Sequence, residues 1–460
     1  MALSDAKSPA HLAFMNPLTA RVGRRRFLRA AGVFAASTTL PVWFLEESRS
    51  RVSAAEPASP NDKPNVALIG CGGRGRADAR DAAKFANVVA VCDVDTKHAE
   101  AAAKDFGGAK VYKDFRKLLE NDSIHAVITG TPDHWHTLVN LAALKAGKDV
   151  YSEKPLTLTI DEGKRLVALA KEKKRVFQTG SQQRSDARFR LACELVRNGR
   201  LGKLQNVITS LPVGPHRGPF QVAPVPSELD WDFWQGQAPW RDYVPERCHG
   251  TFRYWLEYSG GTMTDWGAHH NDIALWGLGL ERSGPTTIEG KRLVEPIPGG
   301  FTTPSTFRVQ YTYANGVTHT CQTVSNEDGS GRATGTPPPG EIPNGVRFEG
   351  SDGWIYVTRG RIQASRREIL DEPLTKKSVE LYVSTNHMGN FFDCLRSRKQ
   401  PICDVEIGHR SVSVCHLGVI AIRLGRKLQW DPGQERFVND KEADGYLVRE
   451  MRKPWSYEMV

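Results

Sequence analysis

Two stretches of this chain combine residue types suited to acid–base chemistry. Glu153-Lys154-Pro155 puts a lysine directly after the apolar run Asp149–Ser152, and the following proline fixes the backbone. The Lys154–Pro155 bond is expected to be cis, which would aim the ammonium inward. The second stretch is Asp265-x-x-x-His269-x-x-Asp272. On a helix Asp265 and His269 stand at i and i+4 and meet on one face, with Asp272 three residues further along it. A carboxylate bonded to one imidazole nitrogen fixes the tautomer and raises basicity at the other. That pair could take a proton from a hydroxyl while Lys154 stabilises the developing alkoxide. Metal ligation by Asp265, His269, His270 and Asp272 competes with this reading, as does a purely structural helix cap. Adjacent histidines on a helix point apart, so no metal is expected.

These groups need a scaffold, and the clearest part of it is Asn65 to Gly75. Val66 to Ile69 is wholly apolar, as in a strand buried on both faces of a parallel sheet. Gly70, Gly72 and Gly75 follow at G-x-G-x-x-G spacing, with Gly73 and Arg74 between them, and Ala77 to Phe85 reads as a helix. Gly70 makes the turn, Gly72 admits a pyrophosphate, and Gly75 lets helix and strand pack closely. The amides of the helix N-terminus would then face the phosphates. Asn87 to Cys92 is a second apolar strand ending in Asp93, where an acid that binds the adenosine ribose belongs. Asp93 favours NAD, while Arg74 and Arg76 leave NADP open.

Ala126–Thr129 and Asp149–Ser152 read as further strands of the same sheet, and their carboxyl ends form the ligand edge. Thr131 and Pro132 would sit against the nicotinamide ribose. His134 and His136 either line the site or simply begin the next helix. The strand Arg175–Gly180 closes this domain, placed at residues 65–185. A second domain at 186–430 begins with an amphipathic helix from Ala187 to Asn198. Its largely antiparallel sheet starts at Leu204–Leu211, with later strands near Thr306–Tyr313, Val317–Val324, Gly345–Glu349 and Trp354–Thr358. Trp231, Trp234, Trp240, Tyr243, Trp255 and Tyr258 can stack on sugar faces or serve as core or interface. Thr336 to Gly340 reads as an exposed loop, Glu406 to Arg423 as a late helix, and residues 431–460 as a tail. The fold class expected is α/β: a doubly wound parallel sheet followed by an α/β domain with a large open sheet.

Length, charge and cysteine set bounds. At 460 residues the chain exceeds one ordinary core, and 40% hydrophobic with 25% charged residues is a globular composition. The formal net charge is +10, and half of it falls in the first 54 residues, which carry 8 basic and 3 acidic side chains. No basic stripe interleaved with aromatics remains, so no nucleic-acid partner is expected. The eight cysteines have no paired spacing and read as small core residues. Gly23-Arg-Arg-Arg-Phe-Leu-Arg29 fits a twin-arginine export signal. An apolar run from Ala30 to Leu45 follows, and Val52-Ser53-Ala54 offers small residues for cleavage. Residues 1–54 are therefore expected to be a leader, the mature protein periplasmic and not inserted in the membrane. No later stretch is expected to span a bilayer.

Together these motifs resemble the glucose–fructose oxidoreductase and inositol dehydrogenase family (Gfo/Idh/MocA). The resemblance rests on Gly70-x-Gly72-x-x-Gly75, Asp93, Thr131-Pro132 with His136, Glu153-Lys154-Pro155, and Asp265-x-x-x-His269-x-x-Asp272, in that order. It implies a Rossmann domain binding NAD, and a second domain whose open sheet often makes homo-oligomers. By the same resemblance Lys154, Asp265 and His269 match the family's catalytic residues. The cofactor would meet Gly70, Gly72, Gly73, Arg74, Gly75, Asp93, Thr131, Pro132, His136, Glu153 and Lys154. The substrate, a sugar, polyol or glycoside, would meet Lys154, Gln183, Arg184, Asp265, His269, His270 and Asp272. The family also contains glycosidases that oxidise and re-reduce their substrate on a retained NAD, which is the second expectation. A sugar-binding scaffold without catalysis is the third.

Overall fold

The computed structural model describes residues 40–51, 63–324, 342–375 and 377–460. The twin-arginine motif, Val52-Ser53-Ala54 and the Thr336–Gly340 loop lie outside them. After the helix α1 (Val42–Arg51), the first sheet is built by β1 (Asn65–Ile69), β2 (Asn87–Cys92), β3 (Lys110–Tyr112), β4 (Ala126–Thr129), β5 (Asp149–Ser152) and β6 (Phe177–Thr179). Between them run α2 (Gly73–Ala82), α3 (Thr96–Asp105), α4 (Phe115–Leu119), α5 (Asp133–Lys145) and α6 (Ile160–Lys173). The strand order is β3-β2-β1-β4-β5-β6, all parallel. Leu68 pairs with Ile128 and Ile69 with Thr129, so β1 and β4 end together. That shared edge on either side of the order reversal is where an open α/β sheet binds ligands. A capping box closes the start of α6, with Thr159 and Glu162 each bonding the other's backbone amide.

The second domain opens with α7 (Ala187–Arg197) and β7 (Leu204–Pro212), followed by α8 (Trp231–Gln235), α9 (Thr262–Asp265) and α10 (Gly267–Leu278). Then come β8 (Thr287–Arg292), β9 (Phe307–Thr312), β10 (Thr318–Val324), β11 (Gly345–Gly350), β12 (Gly353–Thr358) and β13 (Arg361–Ala364). The chain finishes with α11 (Glu368–Asp371), α12 (His387–Ser397), α13 (Val405–Leu424), β14 (Leu428–Asp431), β15 (Arg436–Phe437) and α14 (Lys441–Asp444). The second sheet runs β13-β12-β11-β7-β10-β9-β8-β14-β15, antiparallel apart from the β7–β10 pair. Side chains on one face of the sheet, such as Val207, Phe348, Ile355 and Val357, pack against α7 and α10.

The cores are not contiguous in sequence. Met388, Phe391 and Phe392 of α12 pack with Val66, Leu68 and Val91 on one face of the first sheet. Helix α13 contributes Val405 and Val412 to the core on the other face, and Val414, Leu417 and Ile420 to the second domain. By length and composition α13 could cross a membrane, contrary to the expectation above, but it is almost entirely buried as the helix joining the two domains. The aromatic stretch resolves as core: Trp231, Trp234, Tyr243, Trp255 and Tyr258 form one buried cluster, whereas Trp240 is exposed. All eight cysteines are buried and unpaired.

Candidate active site

The glycines do three separate jobs. Gly70 has φ +91°, a conformation open to glycine, and turns the chain out of β1. A Cβ on Gly75 would sit 2.0 Å from the Gly70 carbonyl oxygen, so α2 can lie this close to β1 only without one. A Cβ on Gly72 would meet nothing within 4 Å, because that position faces a cavity. Asp93 stitches the turn to β2: its carboxylate accepts from Cys71 N at 2.6 Å and from Asp95 N at 2.9 Å. Burial pushes its pKa up, against the pull of those two amides.

The cavity measures about 860 Å³ and runs from Asp93 and His98 at one end to Lys154 and His269 at the other. Gly70, Gly72, Gly73, Arg74, Thr131, Pro132, His136 and Glu153 line it, as expected of a cofactor wall. Gly75 lies behind the lining, packed on the turn. Arg74 pairs with Asp78 and reaches Glu153 at 3.1 Å, and Gln182 donates to Glu153 at 2.7 Å. Burial would raise the Glu153 carboxyl, but Arg74 and Lys154 outweigh it and hold it below the usual range. His136 bridges the two loops at the sheet edge, 2.7 Å from Pro155 O and 2.9 Å from Thr131 O. His134 instead sits 2.9 Å from Trp234 O within the core.

At the far end Lys154, which follows β5 and precedes a cis proline, places Nζ 2.5 Å from Asp265 Oδ1. Arg253 Nε lies 3.5 Å from the same oxygen. Burial would raise the Asp265 carboxyl, yet Lys154 and Arg253 bring it below the usual carboxylate value. The expected Asp265–His269 pair does not form. Trp266, between α9 and α10, keeps a right-handed helical backbone, but the His269 amide bonds Trp266 O, and Asp265 O accepts from Lys154 Nζ at 3.3 Å. The carboxylate turns to the ammonium, a stronger partner than a neutral imidazole. His269 is nearly buried, and burial together with Lys154 holds its pKa well below the ordinary value, leaving it neutral. Its Nδ1 has no hydrogen-bond partner among the described residues, and the ring lines the cavity. The side-chain amide of Gln183 and the hydroxyl of Thr131 are likewise buried, without partners, and on the cavity wall. These atoms lie beneath the cavity surface, without access to solvent.

Three expected substrate residues fall outside the cavity. Arg184 and Asp272 form a fully buried two-pronged ion pair at 2.7 Å, and Ser411 also donates to Asp272. His270 is buried with Nε2 2.8 Å from Asn344 Oδ1, and burial pushes its pKa down to about 4. These residues hold α10 in place beneath the site. Sequence reading also missed several lining residues, Asp133, Gln182, Arg253, Trp266 and Arg359 among them. Asp133 is buried, accepts from Ser259, and burial raises its pKa to about 7. The Thr131-Pro-Asp-His-Trp-His motif could have flagged it; Arg253 and Arg359 carry no local signal. At the other end Asp95, His98 and His249 bring ligand-capable atoms within 4.8 Å of one another, a set that could hold a cation. Their separation in sequence hid it.

A parallel doubly wound sheet, a glycine turn into a helix N-terminus and an acid at the end of β2 define a Rossmann-type, NAD-binding oxidoreductase. Comparison bears this out: residues 64–181 match the family model described as oxidoreductase family, NAD-binding Rossmann fold, and residues 214–457 the one described as oxidoreductase family, C-terminal alpha/beta domain. The chain belongs to the Gfo/Idh/MocA oxidoreductase family. Among its relatives, an inositol 2-dehydrogenase/D-chiro-inositol 3-dehydrogenase of Lacticaseibacillus casei is 39% identical over 143 residues, 30% of this chain and 41% of that enzyme. A levoglucosan dehydrogenase of Pseudarthrobacter phenanthrenivorans is 30% identical over 114 residues, 25% of this chain and 29% of that enzyme. The chain thus spans less than half the length of these relatives. The solved WlbA dehydrogenase of Bordetella pertussis, in complex with NADH and UDP-GlcNAcA, superposes with TM-score 0.59 at 18% identity, covering 80% of this chain and 99% of that one. A levoglucosan dehydrogenase bound to NADH and levoglucosan gives 0.58 at 18% identity over the same shares. At such identity the likeness speaks for the fold.

Proposed function

We propose that this protein oxidises or reduces a secondary hydroxyl of a sugar, polyol or glycoside, using NAD that it retains and recycles. The observation that carries the reading is the convergence of Lys154, Asp265 and neutral His269 on the cavity that also holds the glycine turn and Asp93. NAD, when bound, supplies the hydride acceptor. Asp93 favours it over a nucleotide bearing a 2′-phosphate. His269, held neutral and lining the cavity, takes the proton of the substrate hydroxyl. Asp265 holds the Lys154 ammonium in place, and Lys154 stabilises the oxygen as it gains charge. Arg253 offers hydrogen bonds that orient the ring. The names of the dehydrogenase relatives support a polyol or sugar, and the leader motif supports a periplasmic protein exported folded with its nucleotide. The open second sheet supports a homo-oligomer.

A second reading, a glycosidase working by transient oxidation and elimination, gains support from Asp133. A buried carboxyl near pKa 7 on the same wall suits a group that must hold a proton and then give it to a leaving alcohol. One experiment separates the readings. The protein is purified, denatured, and the supernatant assayed for NAD; intact protein is then given a panel of polyols and aryl glycosides. Stoichiometric nucleotide reduction indicates the dehydrogenase, and released aglycone without lasting NADH indicates the glycosidase. Protein that neither carries nor binds nucleotide sinks both.

A further inference from the structure

We infer that residues 40–51 are a permanent part of the folded enzyme, and that the boundary between leader and mature chain lies N-terminal to Leu40 and not after Ala54. The boundary half of this inference rests on the export reading above; the structural half does not. Helix α1 is docked, with Phe44 fully buried among Phe189, Ala192 and other core residues of α7. The Arg190 guanidinium covers the Phe44 ring at 4.1 Å and donates to the Ser48 hydroxyl. Trp43 Nε1 donates to Leu370 O at 3.2 Å.

Charges complete the joint. Arg51 reaches Glu380 at 2.8 Å and the buried Glu194 at 3.6 Å. Lys377 bridges Glu47 and Glu194, and Glu194 also binds Arg190 at 2.8 Å. A free helix of ten residues is marginal in water, so α1 owes its form to this socket. Cleavage after Ala54 would pull Phe44 out of the core and leave Lys377 and Arg190 short of partners. Moving the boundary costs the leader nothing. Ala30 to Thr39 still supplies an apolar stretch of normal length behind the arginines, and Ala35 to Thr39 are all small residues.

The test uses the full-length chain. Protein recovered from the periplasm is analysed by intact mass and N-terminal sequencing, and its melting temperature is compared with that of full-length Phe44→Ala. An N-terminus at or before Leu40 is expected, with a fall of roughly 5 °C in Phe44→Ala. Folded, active protein beginning at Ala55 overturns the inference, as does a Phe44→Ala melting temperature equal to wild type. A chain found only in the cytoplasm with Met1 intact overturns the export reading instead, and there the melting comparison alone decides on α1.

Discussion

Asp265→Asn tests which partner the Asp265 carboxylate serves. Its Oδ1 lies 2.5 Å from Lys154 Nζ, with the two side chains 20% and 13% exposed. At an effective dielectric of about 20, charges that close attract by roughly 7 kcal/mol before desolvation is counted. Partial burial and access to the cavity remove most of that, leaving a net coupling of about 2 kcal/mol. The assay is a double-mutant cycle in stability, read from urea unfolding of Asp265→Asn, Lys154→Met and the double variant. Turnover is a poor readout for such a cycle, since residues that act as a unit are non-additive in rate. The double variant should lose no more than the worse single one. A second cycle, Asp265→Asn with His269→Asn, should be additive within about 0.5 kcal/mol, because no hydrogen bond joins that pair. Coupling of about 2 kcal/mol between 265 and 269, with additivity between 154 and 265, would refute the reasoning.

The glycine turn and the buried acid give two further tests. Gly75→Ala should cost roughly 3 kcal/mol of stability, since its Cβ meets the Gly70 carbonyl, whereas Gly72→Ala should leave the melting temperature unchanged and weaken NAD binding. Calorimetry and nucleotide titration of both variants check this; equal effects on stability would contradict it. Asp133 titrates at about 7 instead of 3.8, so between those values the unfolded chain ionises while the folded one keeps its proton, and stability falls as pH rises through the window. Asp133→Asn should therefore match wild type near pH 4 and exceed it, by up to about 4 kcal/mol, near pH 8. Coincident melting curves at both pH values would show that Asp133 is not held protonated.

The first domain was largely legible in the sequence because strands buried on both faces read as unbroken apolar runs. Val66–Ile69, Ala126–Thr129 and the strand before Glu153 lie where pattern placed them, and so does the turn between Gly70 and Gly75. Five neighbouring strands of the second sheet, β7, β9, β10, β11 and β12, were also visible. The edge strands β14 and β15 are too short to leave a pattern, and α12 gives no hint that it covers the first sheet. At the site, Lys154 and His269 could be named from motifs, but their partners could not. The Lys154–Asp265 contact joins residues 111 apart, and Arg184–Asp272 joins residues 88 apart. The i, i+4 rule weighed only residues on one helix, whereas the partner that takes the Asp265 carboxylate, Lys154, comes from the end of β5.

Helix α13 bears on how the molecule can come apart. Gly408 lies so close to β6 that a Cβ there would sit 2.1 Å from Thr179 Oγ1, and His416 Nε2 is 3.1 Å from Thr157 O. On the same helix, Tyr311 of the second sheet donates to Val414 O at 2.9 Å. One rigid rod is therefore mortared into both halves, and swinging the halves apart would shear it from one of them. Melting should thus be a single event in which neither half outlives the other.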